Sequence, residues 1–170
     1  MRQSFGGLYC YDGEIVNCTI SNNSSEIDGG GVYSNDSSVL NCTISKNRAG
    51  NAGGIYNDGQ LKDCEIFLNH ATESGGGLYL RGDASHCLIY SNACESEGGG
   101  VYNSRGKLTN SKVFNNRSAE DGGGIYNENG TTSNCVVYNN HSSLSGGGIY
   151  NLANSILSNC TLANNRSDDS

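Results

Sequence analysis

Apolar residues recur along this chain in short alternating pulses rather than at helical intervals. Cys18, Cys42, Cys64, Cys87, Cys135 and Cys160 share one register, with Ser111 taking the cysteine place in the fifth unit. Two residues after each landmark stands an aliphatic: Ile20, Ile44, Ile66, Ile89, Val113, Val137 and Leu162. Three residues before it stand Ile15, Val39, Leu61, Ala84, Leu108, Thr132 and Leu157, just after a turn rich in Gly, Asn and Asp. Period-two segments separated by such turns predict short strands, with cysteine and aliphatic on one face.

A second phrase, Gly-Gly-aliphatic-Tyr, closes each unit. Its tyrosines are Tyr9, Tyr33, Tyr56, Tyr79, Tyr102, Tyr126 and Tyr150, in steps of 24, 23, 23, 23, 24 and 24 residues. A fixed period of this size marks stacked repeats, in which each unit completes its core against its neighbours. Three short strands fit in such a unit and a helix does not. The Leu-x-x-Leu-x-Leu pattern of leucine-rich repeats is absent. The expectation is an all-β fold: a right-handed parallel β-helix solenoid of about seven rungs of 22–25 residues, forming one domain over residues 1–170. Its handedness follows from crossover chirality. Equivalent residues then form columns at the spacing of paired strands, ~4.8 Å.

Composition agrees. With 25 glycines, no proline and abundant Asn and Ser, the chain is a poor helix former, and its strict repeat opposes disorder. A net charge of -7 excludes the basic footprint of a nucleic-acid binder. No apolar run spans a bilayer, and Met1 to Cys10 lacks the apolar stretch of a secretory signal.

The columns assign structural roles first. Asparagine falls five residues after the landmark in all seven units, at Asn23, Asn47, Asn69, Asn92, Asn116, Asn140 and Asn165. It predicts a turn ladder, because Asn tolerates left-handed backbone and stacked amides hydrogen-bond along a column. A shorter ladder at Asn17, Asn41, Asn110, Asn134 and Asn159 is interrupted by Asp63 and His86. The glycine pairs mark positive φ or close packing, and with no helix to follow they do not make a phosphate cradle. The cysteine column is expected to be a buried ladder of free thiols packing as small apolar groups. Its ~4.8 Å spacing exceeds the Cβ separation of a disulfide, and CxxC metal pairs are missing. No metal and no cofactor is expected. Cys10 and Cys94 lie off this ladder, and Cys94, placed in a polar loop, is expected to be the reactive thiol.

Candidate chemistry is sparse. Eleven of the 13 aromatics fall into two outward columns, the seven tyrosines and a second set at Phe67, Tyr90, Phe114 and Tyr138. With Leu88 and Val136, the second set predicts an outward apolar strip. It either stabilises the sheet by stacking or docks a sugar, a flanking segment or another chain. Asp63, Glu65 and His86 form the one acid–base cluster in neighbouring rungs. This is either a general acid–base pair or a solvated ion pair replacing Asn in its ladder. Acidic loops at Glu26, Asp28, Glu73, Glu95, Glu97, Glu120, Asp121, Asp168 and Asp169, several of them opened by Arg48, His70, Arg117, His141 or Arg166, lack the aspartate spacing of a calcium repeat and read as solvated.

The phrase Gly122-Gly123-Gly124-Ile125-Tyr126-Asn127, followed by Asn134-Cys135 and Asn140, resembles repeats of right-handed parallel β-helix proteins of the pectin-lyase-like superfamily. It is most similar to the Gly-Gly-Ala-Ile and Phe-x-x-Asn repeats of bacterial polymorphic outer membrane proteins. Here Gly replaces Ala in most units, and Phe67-Leu68-Asn69 shortens the gap between Phe and Asn. The resemblance spans essentially the whole chain. It implies a non-enzymatic extracellular or cell-surface rod, an adhesin-like passenger or scaffold associated with a bacterial outer membrane, whose partner is a cell-surface glycan or protein. Other relatives are polysaccharide lyases and hydrolases, so the competing expectation is a polysaccharide-binding or polysaccharide-cleaving module. The lyases' calcium-site aspartates with a catalytic arginine and the hydrolases' aspartate trio have no counterpart, and no catalytic residue is carried over. Nothing before Phe5 or after Asn165 reads as a helix or polar cap. The expectation is a segment of a longer exported rod, or end-to-end self-association through open strand edges.

Overall fold

A computed structural model describes residues 6–169. The expectation that no cap precedes Phe5 concerns residues 1–5, which lie outside the described residues. Among the described residues the chain winds into seven stacked turns without a helix, and every strand pairs in parallel with its equivalent one turn away. Three sheets of twelve, seven and six strands run along the rod.

The first sheet takes two stretches from each rung, the Gly-Gly-x-Tyr segment and the segment ahead of the cysteine position. They fuse into the single strands Val32–Leu40 and Ile55–Lys62 in the second and third rungs and stay separate elsewhere, as in Leu78–Leu80 and Asp83–Ser85. The second sheet follows the cysteine position, with strands such as Glu65–Phe67, Leu88–Tyr90 and Lys112–Phe114. The register is column on column: Leu88 pairs with Glu65 and Lys112, and Tyr90 with Phe67 and Phe114.

The third sheet corrects the sequence expectation of three strands per rung. Two-residue strands at Arg48–Ala49, His70–Ala71, Ala93–Cys94, Arg117–Ser118, His141–Ser142 and Arg166–Ser167 open the segments expected to be loops. Two residues are too few to display alternation, and their inward members are small or polar rather than aliphatic. Periodicity therefore had nothing to detect.

Alternation places the core. Val32, Ile55, Leu78, Val101 and Ile125 from the first sheet meet Ile44, Ile66, Ile89, Val113 and Val137 from the second, all fully buried. The corners between sheets carry the strained backbone. Asn17, Asn41, Asp63, His86, Asn110, Asn134 and Asn159 have φ of 50–56° at the corner between the first and second sheets. At the next corner the left-handed residues are Asn22, Lys46, Leu68, Ser91, Asn115, Asn139 and Asn164. These stand one residue before the invariant asparagines, which is the physical correction to that ladder. Its asparagines do not take the left-handed turn; they sit inside it. Asn92 is typical: its Nδ2 donates to the Ile66 carbonyl oxygen at 3.0 Å and to Asn116 Oδ1 at 3.1 Å. Its Oδ1 accepts from both the backbone N–H and the side-chain amide of Asn69 at 3.0 Å. The glycine pair makes room for this amide chain. A Cβ on Gly77 would lie 2.7 Å from Asn92 Nδ2 and 2.8 Å from the Gly100 carbonyl oxygen.

Candidate interaction face

The second sheet's outer surface carries the aromatic strip, because residues one and three positions past the cysteine place point away from the core. Phe67, Tyr90, Phe114 and Tyr138 stack with centroids 4.9–5.0 Å apart and planes within 4–8° of parallel. In such a stack the two interior rings, Tyr90 and Phe114, have both faces covered by neighbours. What they present outward is ring edge. Beside them Leu88 and Val136 are 39% and 37% exposed, and Leu68, at the left-handed corner, is 50% exposed. Glu65 and Lys112 occupy the same column as Leu88, one rung to either side. The Tyr90 hydroxyl donates to Glu65 Oε1 at 2.7 Å, and burial with this neighbouring carboxylate pushes the phenol up to about 12. Among the described residues neither Glu65 nor Lys112 has an ion-pair partner.

The first-sheet tyrosines form a parallel column of their own. Successive rings from Tyr9 to Tyr150 lie 4.6–5.6 Å apart. Several hydroxyls are tied down, Tyr102 donating to Glu128 Oε2 at 2.9 Å and Tyr56 accepting from Arg81 at 3.2 Å. Enclosure varies along this column, Tyr56 being only 9% exposed and Tyr9 at its end 51%.

Asp63, Glu65 and His86 line one open depression with Asn41, Thr43 and Leu88. Each nonetheless has its own role in the wall. Asp63 and His86 occupy left-handed corner positions at φ 53° and 55°. Asp63 lies 3.8 Å from Lys62 Nζ, and Glu65 is engaged by Tyr90. No hydrogen bond or ion pair joins Asp63 to His86. Among the described residues no group of three or more His, Cys, Asp or Glu is arranged to hold a metal ion.

The thiols differ from expectation in two ways. Cys42, Cys64, Cys87 and Cys135 are buried and free, but Cys18 at one end of the column is exposed and Cys160 at the other is partly so. Nor do they pack as merely apolar groups. Cys64 Sγ accepts from the Cys42 backbone N–H at 3.4 Å and donates to the Lys62 carbonyl oxygen at 3.2 Å. Ser111 makes the same pair of bonds, accepting from the Cys87 N–H and donating to Thr109, which explains how serine substitutes there. Cys94 is a correction: it is buried, the inward member of a third-sheet strand, and desolvation pushes its thiol up to about 12. A thiol so protonated and enclosed does not react.

Arg48, His70, Arg117, His141 and Arg166, which the sequence sets at the start of loops, stand instead on third-sheet strands as one outward column. His70 lies 3.8 Å from Glu95, and His141 Nε2 lies 3.0 Å from Asp168 Oδ2. That contact and Arg166 hold the Asp168 carboxyl below its ordinary value. The recurring cation or histidine directly after most ladder asparagines is legible in the sequence, whereas the strand that carries it is not.

Among the described residues no helix is long and apolar enough to cross a membrane. Neither the curated proteins nor the solved structures contain a match to this chain. Residues 6–167 match the right-handed β-helix region family. Seven parallel turns joined column to column by that span agree with the match, and the chain belongs to the family of right-handed β-helix regions.

Proposed function

We propose that this chain is a non-enzymatic rod segment displayed outside the cell, of adhesin or scaffold type and exported as part of a longer chain. Its second-sheet strip is the surface that docks a partner protein. The observation that carries this reading is the stacked ring ladder. Sugar recognition by aromatics uses ring faces, and here the faces of Tyr90 and Phe114 are occupied by neighbouring rings. Ring edges beside Leu88 and Val136 make an apolar surface suited to protein side chains.

The test uses beads coated with the chain and applied both to cultured cells and to polysaccharide-coated surfaces. Phe114→Ser combined with Tyr138→Ser is expected to abolish adhesion to cells while far-UV circular dichroism stays unchanged. Adhesion that survives this variant overturns the docking role. A second reading, polysaccharide cleavage, draws on the depression where Asp63, Glu65 and His86 meet. It predicts release of sugar ends that is lost in Asp63→Ala, Glu65→Ala and His86→Ala. Such activity would replace the adhesive reading with an enzymatic one.

A further inference from the structure

Resting on that docking role, we infer that the partner the strip fits is a second copy of this chain, apposed face to face with the two rods antiparallel. The argument is the charge order within one column. Reading along the rod, Glu65, Leu88 and Lys112 succeed one another at single-rung steps, an acid and a base placed symmetrically about a leucine. Neither charge has an ion-pair partner within the chain among the described residues. The Tyr90 hydroxyl holds the Glu65 carboxylate by Oε1, and among the described residues Oε2 has no hydrogen-bond donor.

A closed homodimer has a two-fold axis, so its patch must complement itself. An axis along the Leu88–Tyr90 strand exchanges the third rung of one copy with the fifth rung of the other. Glu65 then faces Lys112 of the second copy, twice in the dimer. Leu88 meets its own equivalent, and Phe67 lies against Phe114 of the second copy. A two-fold running along this column, which aligns the rods in the same direction, would instead bring Glu65 onto Glu65 and Lys112 onto Lys112, repelling twice. The column therefore selects direction as well as partner.

Area limits the strength. Three-residue strands over five rungs give a flat footprint of about 10 by 20 Å per copy. That is well below the ~800 Å² per partner of a standard stable interface. The dimer is accordingly weak, with a Kd on the order of 0.1 mM. Rods crowded on a surface associate through many such contacts at once.

Sedimentation equilibrium of the whole chain up to ~1 mM tests this, with circular dichroism confirming the fold of each variant. Wild type is expected to show a monomer–dimer equilibrium. Glu65→Lys and Lys112→Glu should each weaken it about tenfold or more, because each converts both cross-pairs to repulsion. The double exchange, E65K with K112E, should return it to within about threefold of wild type, since each cross-pair is again opposite in sign. Wild type that stays monomeric throughout, or a double exchange no better than its singles, overturns the antiparallel pairing. If cell adhesion is nevertheless lost in the Phe114→Ser and Tyr138→Ser variant, the strip still docks a partner and only its identity as a second copy has failed.

Discussion

Substituting the same residue at two places in one column separates what the internal amide chain contributes from what the local turn requires. Asn92→Ala removes four hydrogen bonds: those accepted from the Asn69 backbone and side chain, and those donated to Ile66 and Asn116. Among the described residues, Asn23→Ala in the first rung removes just the bond that its own Nδ2 donates to Asn47. At a net value of about 1 kcal/mol per bond, the central substitution costs ~4 kcal/mol and the terminal one ~1 kcal/mol. The gap is widened by burial, Asn92 being 1% exposed, because the Asn69 N–H and the Ile66 carbonyl lose their partner away from water. Guanidinium unfolding followed by circular dichroism gives the two costs. Hydrogen exchange at the Asn69 amide reads the local loss independently of end fraying. Equal costs for the two variants, or an Asn69 amide that stays protected in N92A, would refute the claim that the amides act as a connected internal chain.

Three further outcomes follow from particular side chains. Thr132 is fully buried in a column where other rungs carry Val39 or Leu108, and its hydroxyl has no partner. Thr132→Val should therefore stabilise the rod by about 1 kcal/mol, read as a higher denaturation midpoint with an unchanged slope. Burial raises Cys64 and Cys135 to about 11 and Cys87 and Cys94 to about 12, so the folded chain keeps protons that the unfolded chain releases above pH ~9. Stability should be intact below that pH and fall through the window up to about 12, by as much as ~1.4 kcal/mol per pH unit for each thiol. Cys87→Ser, which copies the Ser111 arrangement, should fold and lessen this alkaline loss. Under native conditions a thiol reagent should label Cys18 readily and reach Cys94 only on unfolding, as peptide mapping of the labelled chain can show.

The repeating phrase made the turns, the inward aliphatics and both aromatic columns legible, because each depends on a side chain recurring at one register. What stayed hidden depends on contacts between rungs or on segments too short to alternate. Cys94 read as a loop thiol since a two-residue strand has no pattern, and its equivalents Ala49, Ala71, Ser118 and Ser142 are small rather than hydrophobic. The invariant asparagines announced their importance but not its cause, since a left-handed turn and a buried amide favour the same residue type. A further internal amide run, Asn103 to Asn127 to Asn151, also escaped notice because Leu80 and Ser34 interrupt its column. For the strip, composition suggested an aromatic surface. Only the stacked geometry revealed that it offers edges, and only the register placed Glu65 and Lys112 evenly about Leu88.

The spacing between cysteine position and ladder asparagine is five residues in every rung, whereas the tyrosine-to-cysteine interval ranges from 8 to 10. The first-sheet turn in that interval is thus where the chain absorbs most differences in length, one further residue being saved between Asn47 and Tyr56, and the five-residue corner is where it tolerates none. Descendants of such a gene can be expected to gain or lose single codons at the former and to change elsewhere by duplicating or deleting a whole coil. Molecular length would then evolve in quanta of one strand spacing, about 4.8 Å at a time.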